Sequence, residues 1–259
     1  LDHLLTVFPN VNIFGYTLLP GTEFFERRDE YRLETIPVAG YGKAKGEYVV
    51  GCHTFTRDQG EEGYFLITAY IILSRGQIMP LTARHLAFAG RLPVAALLRR
   101  VLRSLLEEFA ADAPDLVGPD RMTVYENRAA LFQLFIANCT RTYDVISRTL
   151  ESWLLEHGAA AELAAARRVL QVDEALCPST GEKHVRRRHL DFDAAAVEAS
   201  LMRMEAAPAA ALAASETREI AVEIPGGVGR IMFDPDGGAW VRGVLRRAPA
   251  PAALPRRPL

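Results

Sequence analysis

Long apolar runs are missing from this chain, and so is any large surplus of charge of one sign. No stretch reaches the ~20 consecutive apolar residues that a membrane-crossing helix needs. The most apolar candidate, Tyr64 to Leu73, is too short and reads as a buried helix. A formal net charge of -2 gives no long-range field to gather nucleic acid or anionic lipid, so neither is an expected partner. The chain opens on Leu1-Asp2-His3, without methionine and without the basic start of a secretion signal. Cysteine is scarce: Cys52, Cys139 and Cys177 are widely spaced and cannot all pair, which makes a reducing cytoplasm the expected location. No internal repeat with a convincing period is present.

What remains is an ordinary globular balance, with 49% hydrophobic and 24% charged residues in 259. At ~100–200 residues per domain, that length allows one large domain or two modest ones. The first residues read as a helix end, a break at Pro9-Asn10, and a strand through Val11, Ile13, Tyr16 and Leu18. The strand stops at Pro20-Gly21, where Thr22 caps a short helix from Glu23 to about Tyr31. Helix, strand, tight turn and helix in this order is α/β grammar, and one such unit needs neighbours on its sheet. A loop over Ile36 to Gly46 and a strand over Glu47 to Phe55 follow. Thr56 and Gln59 then form a capping-box pattern before an apolar helix that runs to Arg75 and ends at Gly76.

Beyond this point helical spacing dominates. Helices are expected over Thr82–Ala89, Pro93–Ala111, Asp120–His157 with a break near Asn138–Thr140, and Ala160–Leu176. The tail turns to an extended stretch at His184–Phe192 and a helix capped by Asp193. After an Ala/Pro linker come three short strands, Glu219–Ile224, Gly229–Phe233 and Ala239–Leu245, forming an antiparallel meander. Residues 248–259 are Pro, Ala and Arg with few core formers, and disorder is expected there.

Several residue groups carry candidate chemistry. Leu18-Leu19-Pro20-Gly21-Thr22-Glu23 is mechanically a strand-to-helix turn, and such turns are where α/β enzymes place ligands. Cys52 through Tyr64 gathers titratable groups at a strand-to-helix transition, where His53 and Arg57 can be aimed into a cleft; a capped helix with solvated charges explains the same residues. Arg84 and His85 read as a solvent-facing pair. Cys177, His184 and His189 are too loosely spaced for zinc, and Arg186-Arg187-Arg188 between them would repel a cation, so no metal site is assigned. Cys139 reads as core, without a basic residue at helical spacing to activate it except Arg141 and Arg148 on other faces.

The stretch Val11-Asn12-Ile13-Phe14-Gly15-Tyr16-Thr17-Leu18-Leu19-Pro20-Gly21-Thr22-Glu23, with Tyr31-Arg32-Leu33 after it, resembles the late part of radical SAM enzymes of the cobalamin-binding class. The resemblance covers about the first ninety residues and centres on Pro20-Gly21-Thr22. It implies the last units of a partial α/β barrel, followed by a helical C-terminal region that helps to wall a substrate pocket, in a chain that is α+β and mainly α. It also implies S-adenosylmethionine, a 4Fe-4S cluster and cobalamin for the full-length enzyme, which acts as a methyltransferase on a small-molecule substrate. The CxxxCxxC and DxHxxG patterns for cluster and corrinoid do not occur here, so both are expected in upstream barrel and cobalamin-binding domains of the same polypeptide. On this reading Tyr16, Pro20, Gly21 and Thr22 lie toward the cofactor, and His53, Arg57 and Tyr64 toward the substrate. The implied division is residues 1–46 as barrel end, 47–180 as helical domain, 181–247 as a small α+β segment and 248–259 as tail. The rival expectation is a non-catalytic helical module that binds a ligand or a protein partner.

Overall fold

The computed structural model describes residues 1–8, 11–38, 46–89, 92–117, 120–224 and 244–247. Its elements run α1 (Asp2–Val7), β1 (Thr17–Leu18), α2 (Glu23–Glu26), β2 (Glu34–Pro37), β3 (Glu47–Gly51), α3 (Arg57–Ala69), α4 (Pro80–Phe88) and α5 (Val94–Phe109). Then come α6 (Arg121–Glu126), α7 (Arg128–Ala137), α8 (Cys139–Glu156), α9 (Leu163–Leu176), β4 (His184–Leu190), α10 (Ala194–Met202), α11 (Ala209–Leu212), β5 (Arg218–Ile224) and β6 (Val244–Arg247). The chain is mainly helical, with two small antiparallel sheets ordered β1-β3-β2 and β4-β5-β6. The first sheet takes strands from both sides of residue 46. No single helix among the described residues is long and apolar enough to cross a membrane.

The helical body is built on α5 and α8. Along α5, Val94, Leu97, Leu98, Val101, Leu102, Leu105, Leu106 and Phe109 recur at helical spacing and are all buried. Burying each such side chain contributes roughly 1.5–3 kcal/mol before the entropy of ordering is subtracted. Trp153, Leu150 and Ile146 of α8 face the same cluster, together with Phe132 and Phe135 of α7. Arg141 of α8 ties back to Glu108 of α5 at 2.7 Å and to Asp112, just beyond the end of α5, at 2.5 Å.

Local chemistry sets most helix ends. Thr56 and Gln59 make the full capping box that starts α3. Gly60, one turn in, lets α3 lie directly on β3: a Cβ there would come within 1.9 Å of the Val50 carbonyl oxygen. The helix continues through a π-helical stretch, Tyr70–Arg75, before the chain bends by 104° into α4. The start of α4 is capped from a distance. Asp173 of α9, only 1% exposed, accepts hydrogen bonds from the Leu81 amide (3.0 Å), the Thr82 amide (2.8 Å) and the Thr82 hydroxyl (2.7 Å).

Some expectations need correction. The long helix over 120–157 divides into three, at Asn127 and Asn138, where one division near Asn138 was expected. Asn138 leaves helical geometry (φ -109°, ψ 44°) while its side-chain amide donates to the Leu134 carbonyl, and Thr142 Oγ1 donates to Phe135 O across the break. The helix expected over Glu23–Tyr31 stops at Glu26, and the Ala/Pro linker contains α11, which buries Ala211. Ile36 and Pro37, expected in a loop, pair with β3 as part of β2. The strand expected through Val11–Leu18 forms a ladder only at Thr17–Leu18. His85, expected to face solvent, is 7% exposed, and the Arg84 guanidinium donates to the Leu201 carbonyl at 2.6 Å. Gly229–Phe233, residues 239–243 and the tail 248–259 lie outside the described residues.

A second apolar cluster closes the C-terminal end. Leu81 of α4, Val169, Val172 and Leu176 of α9, and Val197 and Leu201 of α10 pack on Ile220, Val222 and Ile224 of β5. The two clusters share α4 and α9, so the small sheet rests directly on the helical body.

Candidate functional site

The segment from Val11 to Tyr16 alternates part-buried and exposed residues as a strand does, yet its anchors are helical side chains. The Tyr70 hydroxyl donates to Val11 O (2.9 Å) and accepts from Val11 N (3.2 Å), and the Tyr64 hydroxyl donates to Tyr16 O (2.9 Å). The Val49 amide of β3 donates to the same Tyr16 oxygen at 2.9 Å. These contacts satisfy both backbone groups of Val11 from a helical side chain and leave the Tyr16 oxygen shared between Tyr64 and β3. Burial pushes both tyrosine hydroxyls up, so each stays protonated and able to donate.

This anchoring turns a row of aromatic side chains outward. Phe14 is 76% exposed, and Tyr16, Leu19 and Phe24 are also exposed. Tyr16 meets Phe24 edge to face at a centroid distance of 5.9 Å, and Phe24 lies 5.3 Å from Tyr31. The Arg27 guanidinium sits 4.9 Å from the Tyr31 ring centroid while paired with Glu23 and with Glu30. His53 closes the row: its backbone amide and its Nδ1 both lie against the Tyr31 carbonyl oxygen, at 3.4 and 3.2 Å. Tyr16, Phe24, Tyr31 and His53 thus form one continuous surface strip.

The turn that shapes one end of the strip follows its sequence chemistry. Gly21 takes φ 81°, a conformation that favours glycine, and Thr22 Oγ1 donates to Leu19 O (2.7 Å) while accepting from Phe25 N (3.3 Å). Pro20, Gly21 and Thr22 are exposed. At the other end Cys52 lies in a tight turn before α3, in contact with the Thr54 hydroxyl (3.0 Å) and amide (3.4 Å). Burial pushes the Cys52 thiol up, but the bonds from Thr54 and Phe55 outweigh it and hold it below the usual thiol value.

The two residue groups singled out in the sequence therefore meet in part. Tyr16 and His53 are brought together through Phe24 and Tyr31. Arg57 is exposed and occupied by Glu61 at 2.7 Å, which raises its already high pKa further. Tyr64 is 4% exposed and supports the strip from beneath, within a buried trio of Tyr48, Tyr64 and Tyr125. Phe14 and Tyr31 fall in the stretch that carries the family resemblance, but neither they nor Phe24 were assigned to a site from sequence. The available signal was two phenylalanines at 24 and 25 inside an otherwise charged helix.

Among the described residues, no three His, Cys, Asp or Glu side chains gather where they could hold a metal ion. An open groove on α5, about 620 Å³, is lined by Glu62, Arg99, Arg100, Arg103 and Glu107. Arg99 already pairs with Glu62 at 2.7 Å, and Arg100 with Glu156. Comparison of the chain with protein-family models and with curated proteins gives no match.

Proposed function

We propose that the chain serves as the C-terminal part of a radical SAM enzyme of the cobalamin-binding class, a methyltransferase whose barrel and cofactors are supplied by upstream domains. The observation that supports this reading is the aromatic strip Tyr16-Phe24-Tyr31-His53 beside β1. A two-residue strand at the end of a sheet offers backbone groups to a further strand, and exposed aromatic rings beside it offer apolar area to a packed neighbour. In this arrangement the Pro20-Gly21-Thr22 turn and Tyr16 face the S-adenosylmethionine side. His53 and Arg57 lie toward the small-molecule substrate, with Tyr64 holding the strip in place.

The coding sequence upstream of Leu1 tests this directly. An in-frame CxxxCxxC within the preceding few hundred codons supports the enzyme, and a start codon immediately before Leu1 overturns it. In the full polypeptide, Phe24→Ala is expected to lower turnover while cluster absorbance stays unchanged. The second reading, a non-catalytic helical binding module, is favoured by the same strip acting as a protein-docking face. It gains ground if the isolated chain captures a folded partner through Phe14 and Phe24 and the upstream sequence contains no cysteine motif.

A further inference from the structure

The strand β4 forms one edge of the C-terminal sheet, whose order is β4-β5-β6. It pairs with β5 in unbroken antiparallel register, from His184 opposite Ile224 to Leu190 opposite Arg218. In such a ladder alternate residues turn both backbone groups toward the neighbour, and the rest turn them away. Among the described residues, β5 is the only source of backbone bonds to β4, and one side chain adds to them: the Arg188 guanidinium donates to the Arg187 carbonyl at 3.2 Å. The other sheet edges are less inviting. β1 has 2 residues and β6 has 4, while β2 is interrupted by a register shift between Glu34 and Thr35. Short or bulged edges resist a further strand, and a long regular edge accepts one.

The side chains of β4 alternate between two faces. On the face toward α9, Arg186 donates to the carbonyls of Glu174 (2.8 Å), Ala175 (3.1 Å) and Cys177 (3.0 Å), and Arg188 reaches the Glu174 carboxylate at 3.4 Å. Val185, Arg187 and His189 take the opposite face and are exposed, Val185 by 51%. One carboxylate serves both basic groups there: Glu219 pairs with Arg187 and lies 3.8 Å from His189 Nε2. The strand His184-Val185-Arg186-Arg187-Arg188-His189-Leu190 thus carries arginine and histidine and no acid, in a chain whose net charge is -2.

We propose that the free edge of β4 takes up an extended acidic segment of a protein partner as a further strand of this sheet. The outward backbone groups of β4 bind the segment, and carboxylates opposite Arg187 and His189 select it by charge. An exposed ion pair contributes little, so Arg187 exchanges Glu219 for a partner's carboxylate at small cost. A second copy fits less well, because pairing β4 with itself about its centre sets Arg187 directly opposite Arg187. Residues 248–259 of the chain contain no acid, and Pro249, Pro251, Pro255 and Pro258 cannot donate to a ladder. Nucleic acid would find one outward arginine on β4, since Arg186 and Arg188 are engaged at α9. This inference does not depend on the function proposed above.

The probe is a fluorescent peptide of alternating threonine and glutamate, matched in length to β4, titrated into the purified chain and followed by anisotropy. Saturable binding that weakens with added salt is expected. Methylating alternate peptide nitrogens removes strand donors and keeps the charge; it should weaken binding about tenfold, as should lysine in place of glutamate. Arg187→Glu, checked for folding by circular dichroism, should reverse the preference toward the lysine peptide. A variant-free measurement stands beside these: saturating acidic peptide should slow hydrogen exchange about tenfold at alternate β4 amides, those not bonded to β5. Failure to saturate, equal binding of the methylated peptide, displacement by a single-stranded oligonucleotide of equal concentration, or slowed exchange only outside β4 overturns the proposal. So does protection of the same amides before peptide is added, or their protection in a concentration-dependent dimer, because this chain itself would then occupy the edge.

Discussion

The helical body and the N-terminal segment handle apolar residues in opposite ways. Along α5 and α8, Leu98, Phe109, Ile146 and Trp153 are shielded almost completely, and exposed charges close the outer faces. Between Val11 and Tyr31 the large rings of Phe14, Tyr16 and Phe24 stay exposed, while Leu18 is buried, Val11 and Ile13 pack against the main core, and tyrosine hydroxyls from α3 and the π-helical stretch hold the backbone. The first arrangement is a finished core, stable by area buried. The second is a backbone held in position so that its side chains remain available. A stable protein can keep an exposed aromatic strip only because the body beneath it is already sealed.

The largest expected effect breaks the body. Trp153→Ala empties a nearly fully buried site and should cost about 3–5 kcal/mol in a denaturant titration. If it cost no more than a surface change, the body would not be the sealed unit described. Next in size is Asp173→Ala, which leaves the Leu81 and Thr82 amides without their shared carboxylate; a loss of about 1–3 kcal/mol is expected in the same measurement.

His85 supplies a pH-dependent version of the comparison. Burial holds its pKa below the ordinary value near 6.5, Glu162 opposes this weakly, and Nε2 finds no partner inside the body. As pH falls through ~6.5 the unfolded chain takes up a proton that the folded chain refuses. His85 therefore removes stability as pH drops, until its folded pKa is passed. Subtracting the unfolding free energies of His85→Leu from those of the native chain between neutral and mildly acidic pH should isolate this slope. A difference that does not vary with pH would show that the imidazole is not shielded.

The N-terminal segment should respond more weakly. Tyr64→Phe removes one donor to Tyr16 O, an expected loss of about 1 kcal/mol, with faster hydrogen exchange confined to Val49 and its neighbours. Phe24→Ser should change stability by no more than about 0.5 kcal/mol, because an exposed ring contributes little to folding. A large loss in that last case would mean that the strip belongs to the core after all.

The helices, their spacing and many of their caps were legible because those signals are local. Thr56 and Gln59 announce the start of α3 within four residues, and the apolar recurrence from Val94 to Phe109 announces α5 with its buried face. The β-propensity of Val11 to Leu18 was legible too, but it did not reveal that the ladder would be confined to its last residues and that tyrosines more than forty residues later would hold Val11 and Tyr16. Nor did it show that Phe24 and Tyr31 would join Tyr16 to His53.

The sequence by itself determined that the chain would be mainly helical, with a turn at Gly21 and Thr22 and a strand-built C-terminal segment. Those features follow from backbone preference and periodicity, which act over a few residues. Only the tertiary structure decided that His85 would be buried, that Asp173 would cap α4, and that Arg186 would donate to the carbonyls at the end of α9. Each of these depends on which elements meet, and burial and charge act through space regardless of distance along the chain.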